Sequence, residues 1–61
     1  MVSFCKFLEP NNQVIAINPV LVRYVRQIDG YITRIYFESN DSVAVQGNLD
    51  KILDDLTKEP K

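Results

Sequence analysis

Histidine and tryptophan are absent from this chain of 61 residues, cysteine and methionine occur once each, and there are two glycines. Each scarcity removes a class of function. Without histidine the usual proton shuttle at neutral pH is missing, and neither a Ser-His-Asp nor a Cys-His nucleophilic arrangement can be drawn. With Cys5 as the lone cysteine there is no internal disulfide, and a structural zinc site has too few soft ligands. Gly30 and Gly47 are each accounted for by a turn, which leaves no glycine-rich phosphate loop. No apolar run approaches the roughly 20 residues of a membrane span. The opening residues, Met1 to Lys6, lack the charged-then-apolar layout of a signal peptide. These absences argue against an enzyme, indicate no cofactor, metal or small-molecule substrate, and set the expectation of a cytoplasmic protein that does not engage a membrane.

What remains is an apolar fraction of 46%, ordinary for a globular domain and inconsistent with disorder. Residues 1–61 read as one small domain, near the lower limit at which apolar burial offsets the entropy of ordering the chain. With disulfides and zinc excluded, oligomerisation is the remaining source of extra stability. The net charge is −1, but the charges are unevenly placed. Val20 to Phe37 holds Arg23, Arg26 and Arg34 against Asp29, whereas Glu38 to Leu56 holds Glu38, Asp41, Asp50, Asp54 and Asp55 against Lys51. The balance disfavours a dedicated nucleic-acid binder, which ordinarily carries a positive surplus.

Val2 to Leu8 alternates loosely and suits a strand, which Glu9-Pro10-Asn11-Asn12 stops. A short strand follows at Val14 to Ile17. Asn18-Pro19 then pairs a capping residue with a proline at the first helical position, so Pro19 to Leu21 can make one helical turn. Two β-rich runs hinge on Asp29-Gly30, and a strand at Val43 to Gln46 follows the turn Ser39 to Ser42. After Gly47, Asn48 can cap a helix in which Leu49, Ile52, Leu53 and Leu56 fall at i, i+3, i+4 and i+7. Asp50 suits the positive helix end, and Asp54 can pair with Lys58. The expected class is α+β: a small antiparallel sheet or partly open barrel of 4–5 short strands with one C-terminal helix, in the order β-β-β-β-β-α.

A two-residue loop at Asp29-Gly30 of the type needing positive φ fixes a register. Ile28 faces Tyr31, Arg26 faces Thr33, Tyr24 faces Ile35 and Val22 faces Phe37. The core face is then Val22, Tyr24, Ile28, Tyr31, Ile35 and Phe37, with Arg26 and Thr33 near the turn. A longer loop that shifts the register by one residue exchanges the two faces. For Val43 and Val45 to join the core side, the next loop must have three or five residues, with Asn40 or Asp41 left-handed.

The opposite face carries Arg23, Val25, Gln27, Ile32, Arg34 and Tyr36, the candidate partner-binding residues. Its cationic and planar groups resemble those of single-strand nucleic-acid platforms. Its apolar strip of Val25, Ile32 and Tyr36 favours a protein partner or a second copy of the chain. The bland alternative is a partly solvated face in which Arg23 stacks on Tyr36 and the stem of Arg34 covers Val25. Cys5 reads as a small, reduced, buried thiol, and Asp50 with Asp54 as a solvated acidic face, since their spacing matches no calcium loop.

Ile17-Asn18-Pro19-Val20-Leu21-Val22, Thr33-Arg34-Ile35, Val43-Ala44-Val45 and the Leu49 to Leu56 helix together resemble the layout of the small FlbD/SwrD-type proteins of bacterial flagellar operons. The likeness runs from about Lys6 to Leu56, through positions that are almost all structural. Asn40-Asp41 stands where that pattern has Asn-Gly, and the first turn, Pro10-Asn11-Asn12, is longer. The layout is also similar to the β-rich half of LytTR-type DNA-binding domains. The resemblance implies a small, non-enzymatic bacterial accessory protein. The functional expectation is a protein-interaction module that self-associates as a homodimer or higher oligomer; the alternative is a small RNA or single-stranded DNA regulator acting through the outer Arg/Tyr face.

Overall fold

The computed structural model describes residues 4–57, and the fold is α+β, with two antiparallel sheets and one helix. Strands β1 (Cys5–Leu8) and β2 (Val14–Ile17) form a hairpin; a 3₁₀ turn, Pro19–Leu21, leads into β3 (Val22–Gln27), β4 (Ile32–Phe37) and β5 (Ser42–Gln46), and helix α1 (Leu49–Thr57) follows. The sheets stay open, so β3 and β5 are the edges of the larger one. Val2, Ser3 and the Asp54–Lys58 pair expected from the sequence fall partly or wholly outside the described residues.

Two of the hairpins close in the same way. In each, three loop residues end in an asparagine with φ 70°, Asn12 in one and Asn40 in the other. The Asn12 amide donates to the Glu9 carbonyl at 2.8 Å and the Asn40 amide to the Phe37 carbonyl at 3.1 Å. This is a type I turn followed by a left-handed residue, a conformation asparagine tolerates better than most side chains. The loop after Phe37 has the odd length that keeps Val43 and Val45 on the core side, with Val43 opposite Ile35 and Val45 opposite Thr33. At the 3₁₀ turn, Asn18 Oδ1 accepts from the Val20 amide at 3.1 Å, as its position before Pro19 suggests.

The central hairpin departs from the expected register by one residue. Tyr24 lies opposite Tyr36, Val25 opposite Ile35, Arg26 opposite Arg34 and Gln27 opposite Thr33. The cause lies first in the loop. Asp29 Oδ1 accepts from the Tyr31 amide at 2.7 Å and the Ile32 amide at 2.9 Å, while the Ile28 amide donates to the Ile32 carbonyl at 2.9 Å. A carboxylate thus organises a loop one residue longer than the glycine turn, and Gly30 has no left-handed φ. Burial favours the same choice: Val25 faces inward with Ile35, and Arg26 is spared a position beneath the helix, where an unpaired charge is costly. Tyr24, Ile28, Tyr31 and Arg26 are therefore not core residues, and Tyr31 is 82% exposed. Val22 regains its expected partner, Phe37, through a bulge at Arg23.

The core sits between the Ile35 side of the larger sheet, the β1–β2 hairpin and α1. It comprises Phe7, Ile17, Ile35, Val45 and Ile52, with Cys5, Ile15, Val22, Val25, Phe37, Val43 and Leu56 packed around them. Thr33 is fully buried, and its hydroxyl donates to the Gly47 carbonyl at 2.9 Å, which satisfies it in an apolar setting. Cys5 is half-buried, with Sγ 3.4 Å from the Asp55 carbonyl.

Helix α1 is fixed at its start from two directions. Asn48 Oδ1 accepts from the Lys51 amide at 2.9 Å, and Gln27 Oε1, reaching from β3, accepts from the Leu49 amide at 3.0 Å. Ile52 carries the helix into the core, Leu49 and Leu56 flank it, and Leu53 remains 42% exposed. The apolar stripe of α1 is thus only partly covered. Lys51 pairs with Asp55 at 3.1 Å along the exposed side, an i,i+4 contact of small energetic weight.

Candidate interaction face

Alternation along the sheet sets Tyr24 and Arg26 of β3, Ile32, Arg34 and Tyr36 of β4, and Ser42 and Ala44 of β5 on the side away from the core. The helix and the β1–β2 hairpin pack on the other side. At one corner another element approaches: Gln46 Nε2 donates to the Glu9 carbonyl at 2.9 Å and to Asn12 Oδ1 at 2.8 Å, tying the first turn to β5.

The Tyr24 and Tyr36 rings stack with centroids 4.4 Å apart and planes 14° from parallel. Directly opposed strand positions bring their Cβ atoms close enough for this, and each ring restricts the rotamers of the other. Beside the stack lie Arg26 and Arg34, an opposed like-charged pair. Arg34 Nη1 donates to Ser42 Oγ at 3.2 Å, which steers its guanidinium toward β5. No acidic residue occupies these face positions, while Asp50 and Asp54 are exposed on α1 across the molecule. The molecule is therefore electrically two-sided. The face offers aromatic surface and guanidinium donors; it has no paired nucleophile and base.

Of the six residues expected to form this surface, Ile32, Arg34 and Tyr36 are together on it. Val25 and Gln27 are not: the one-residue shift turns Val25 to the core and puts Gln27 to work as a helix cap. Arg23 occupies the bulge and does not pair with Tyr36, whose stacking partner is Tyr24. A two-residue loop would place Tyr24 on the core face, with Arg26 on the same side near the turn. The signal that could have found them was Arg26 itself, since the expected register set a charge beside the core.

An apolar groove runs between β3 and α1, lined by Val22, Val25, Leu49, Leu53 and Leu56. Among the described residues no cluster of histidine, cysteine, aspartate or glutamate is placed to hold a metal ion, and no helix is long and apolar enough to cross a membrane. No family model, curated protein or solved structure matches this chain.

Proposed function

We propose that the protein is a non-enzymatic interaction module and that its uncovered sheet face, centred on Tyr24, Arg26, Arg34 and Tyr36, binds another protein. The stacked Tyr24–Tyr36 pair beside two arginines carries this reading. Tyrosine and arginine are enriched among the residues that dominate binding energy, because each brings a large area and directional donors for few rotatable bonds. A pair already stacked has part of that ordering cost met before a partner arrives. The face has a positive bias, so an acidic segment is the partner chemistry it suits. The resemblance of the sequence to FlbD/SwrD-type proteins, if it reflects kinship, implies the same accessory role.

A second reading has one observation in its favour: two aromatic rings beside arginines also form a stacking platform for single-stranded nucleic acid. The net charge of −1 weighs against it. Both are tested by one set of variants. Tyr36→Ala and Arg34→Ala should each weaken capture of a specific protein from an extract of the source cells by about tenfold or more, the scale of a hot-spot truncation, while Asp54→Ala on the far side leaves it unchanged. Capture indifferent to both face substitutions contradicts the proposal. Binding to a polyuridine or polythymidine oligomer that falls steeply with salt and is lost with Arg34→Ala replaces it with the nucleic-acid reading.

A further inference from the structure

We propose that the free edge of β3 pairs with β3 of a second copy, antiparallel and centred on Val25, to form a two-fold dimer with one continuous six-stranded sheet. This goes beyond the outer face and holds whatever that face binds.

The backbone sets the phase. The Ile28 amide donates to Ile32, so alternation makes Arg26 with Arg34 and Tyr24 with Tyr36 the hydrogen-bonded pairs of the hairpin. The amide and carbonyl of Val25 and Gln27 then point away from β4, and no described strand lies on that side of β3. Such a row is a template for another strand.

The side chains select the register. A two-fold axis through Val25 sets Val25 opposite Val25 of the second copy, with the outward backbone groups of both in phase. Tyr24 then faces Arg26 of the second copy, so each Arg26 meets a ring, and the bulge at Arg23 falls at the ends of the pairing. Centring on Arg23 or Arg26 instead opposes two arginines. Centring on Gln27 leaves little strand to pair, and centring on Tyr24 puts the bulged Arg23 beside the axis, in the middle of the pairing.

The groove beside that edge supports the same occupant. Val25 and Leu53 line it, and Leu53 is 42% exposed while the other apolar residues of its helix, Leu49, Ile52 and Leu56, are buried or half-buried. A second copy on the edge brings its own Val25 and groove against them, which covers apolar area that one helix leaves open. A domain this small gains stability from such an association. The pairing also joins the two outer faces, so each Tyr24–Tyr36 stack continues into an arginine of the second copy.

The chain is short enough to assemble chemically, which allows a backbone test. N-methylation of Val25 keeps its side chain and blocks only the outward amide. By light scattering the native protein should have twice the 7.0 kDa chain mass, and N-methyl-Val25 protein should have the mass of one chain with an unchanged far-ultraviolet dichroism spectrum. Should methylation prevent folding, Leu53→Glu decides: its site is solvent-accessible in one copy, so the variant should fold as a monomer. A native protein that stays at one chain mass up to sub-millimolar concentration overturns the proposal, as does a dimer that both changes leave intact. Either failure leaves the outer-face variants to be judged on their own binding data.

Discussion

Ile52→Ala should leave about half or more of the protein unfolded at 25 °C. Ile52 is fully buried, and its side chain bridges the helix to Phe7, Ile17, Ile35 and Val45. Truncating a buried isoleucine costs about 2–5 kcal/mol through lost transfer energy and the cavity left behind. A core of this size rarely supplies more than about 3–5 kcal/mol in total. The two figures nearly cancel, which is why the loss should be seen as absent cooperative unfolding in urea rather than a shifted midpoint. Leu53→Ala, one residue along the same helix, serves as the comparison. Being 42% exposed, it should cost the folded monomer less than 1 kcal/mol. Equal losses at the two positions would mean that the helix packs by a different face.

Gly47→Ala should destabilise by about 2–3 kcal/mol, whereas Gly30→Ala should be neutral or mildly stabilising. Gly47 has φ +129°, a region that side-chain-bearing residues rarely enter and that costs on the order of 1–3 kcal/mol to impose. An added Cβ would also lie 3.1 Å from Ile52 Cδ1, which is packed in the core and has little room to give. The strain cannot be relieved by moving the chain. The Gly47 amide donates to the Tyr31 carbonyl at 2.6 Å, and its carbonyl accepts the buried Thr33 hydroxyl. Gly30 has no left-handed φ and open space where a Cβ would stand, so alanine there only narrows the unfolded ensemble, a gain of up to about 1 kcal/mol. Urea midpoints for the two variants check the contrast. Equal losses at both glycines would restore the glycine-dependent turn at residues 29–30 and with it the other register.

The element order was legible because each boundary carries its own local chemistry. Asn18-Pro19 set the 3₁₀ turn, Asn48 set the helix start, and the parity argument on Val43 and Val45 set an odd loop with Asn40 or Asp41 left-handed, of which the structure uses Asn40. All of these depend on residues within a few positions of one another. The central hairpin was different. Asp29-Gly30 is a strong two-residue turn signal, but the Asp29 side chain accepts two amides and closes a longer loop, a competition that sequence leaves open. The resulting shift by one residue moved Tyr24, Val25, Arg26 and Gln27 to the other face, while Val22 kept its side and Arg23 fell in the bulge. Half of the candidate site survived because β4 kept its orientation, with Ile35 and Thr33 inward and Ile32, Arg34 and Tyr36 outward. The half on β3 changed from Arg23, Val25 and Gln27 to Tyr24 and Arg26. Gln27 illustrates why long-range roles were hidden: its partner, the Leu49 amide, lies 22 positions away in a helix whose placement depends on the register itself.

The interaction face and the dimer edge both rest on that register, so it is the quantity to measure. In antiparallel sheets the α-protons of non-hydrogen-bonded pairs approach one another closely. Nuclear Overhauser spectra should therefore show α-proton contacts between Val25 and Ile35 and between Gln27 and Thr33. Contacts placing Tyr24 opposite Ile35 and Arg26 opposite Thr33 would contradict it, returning Val25 and Gln27 to the outer face and dissolving the Tyr24–Tyr36 stack.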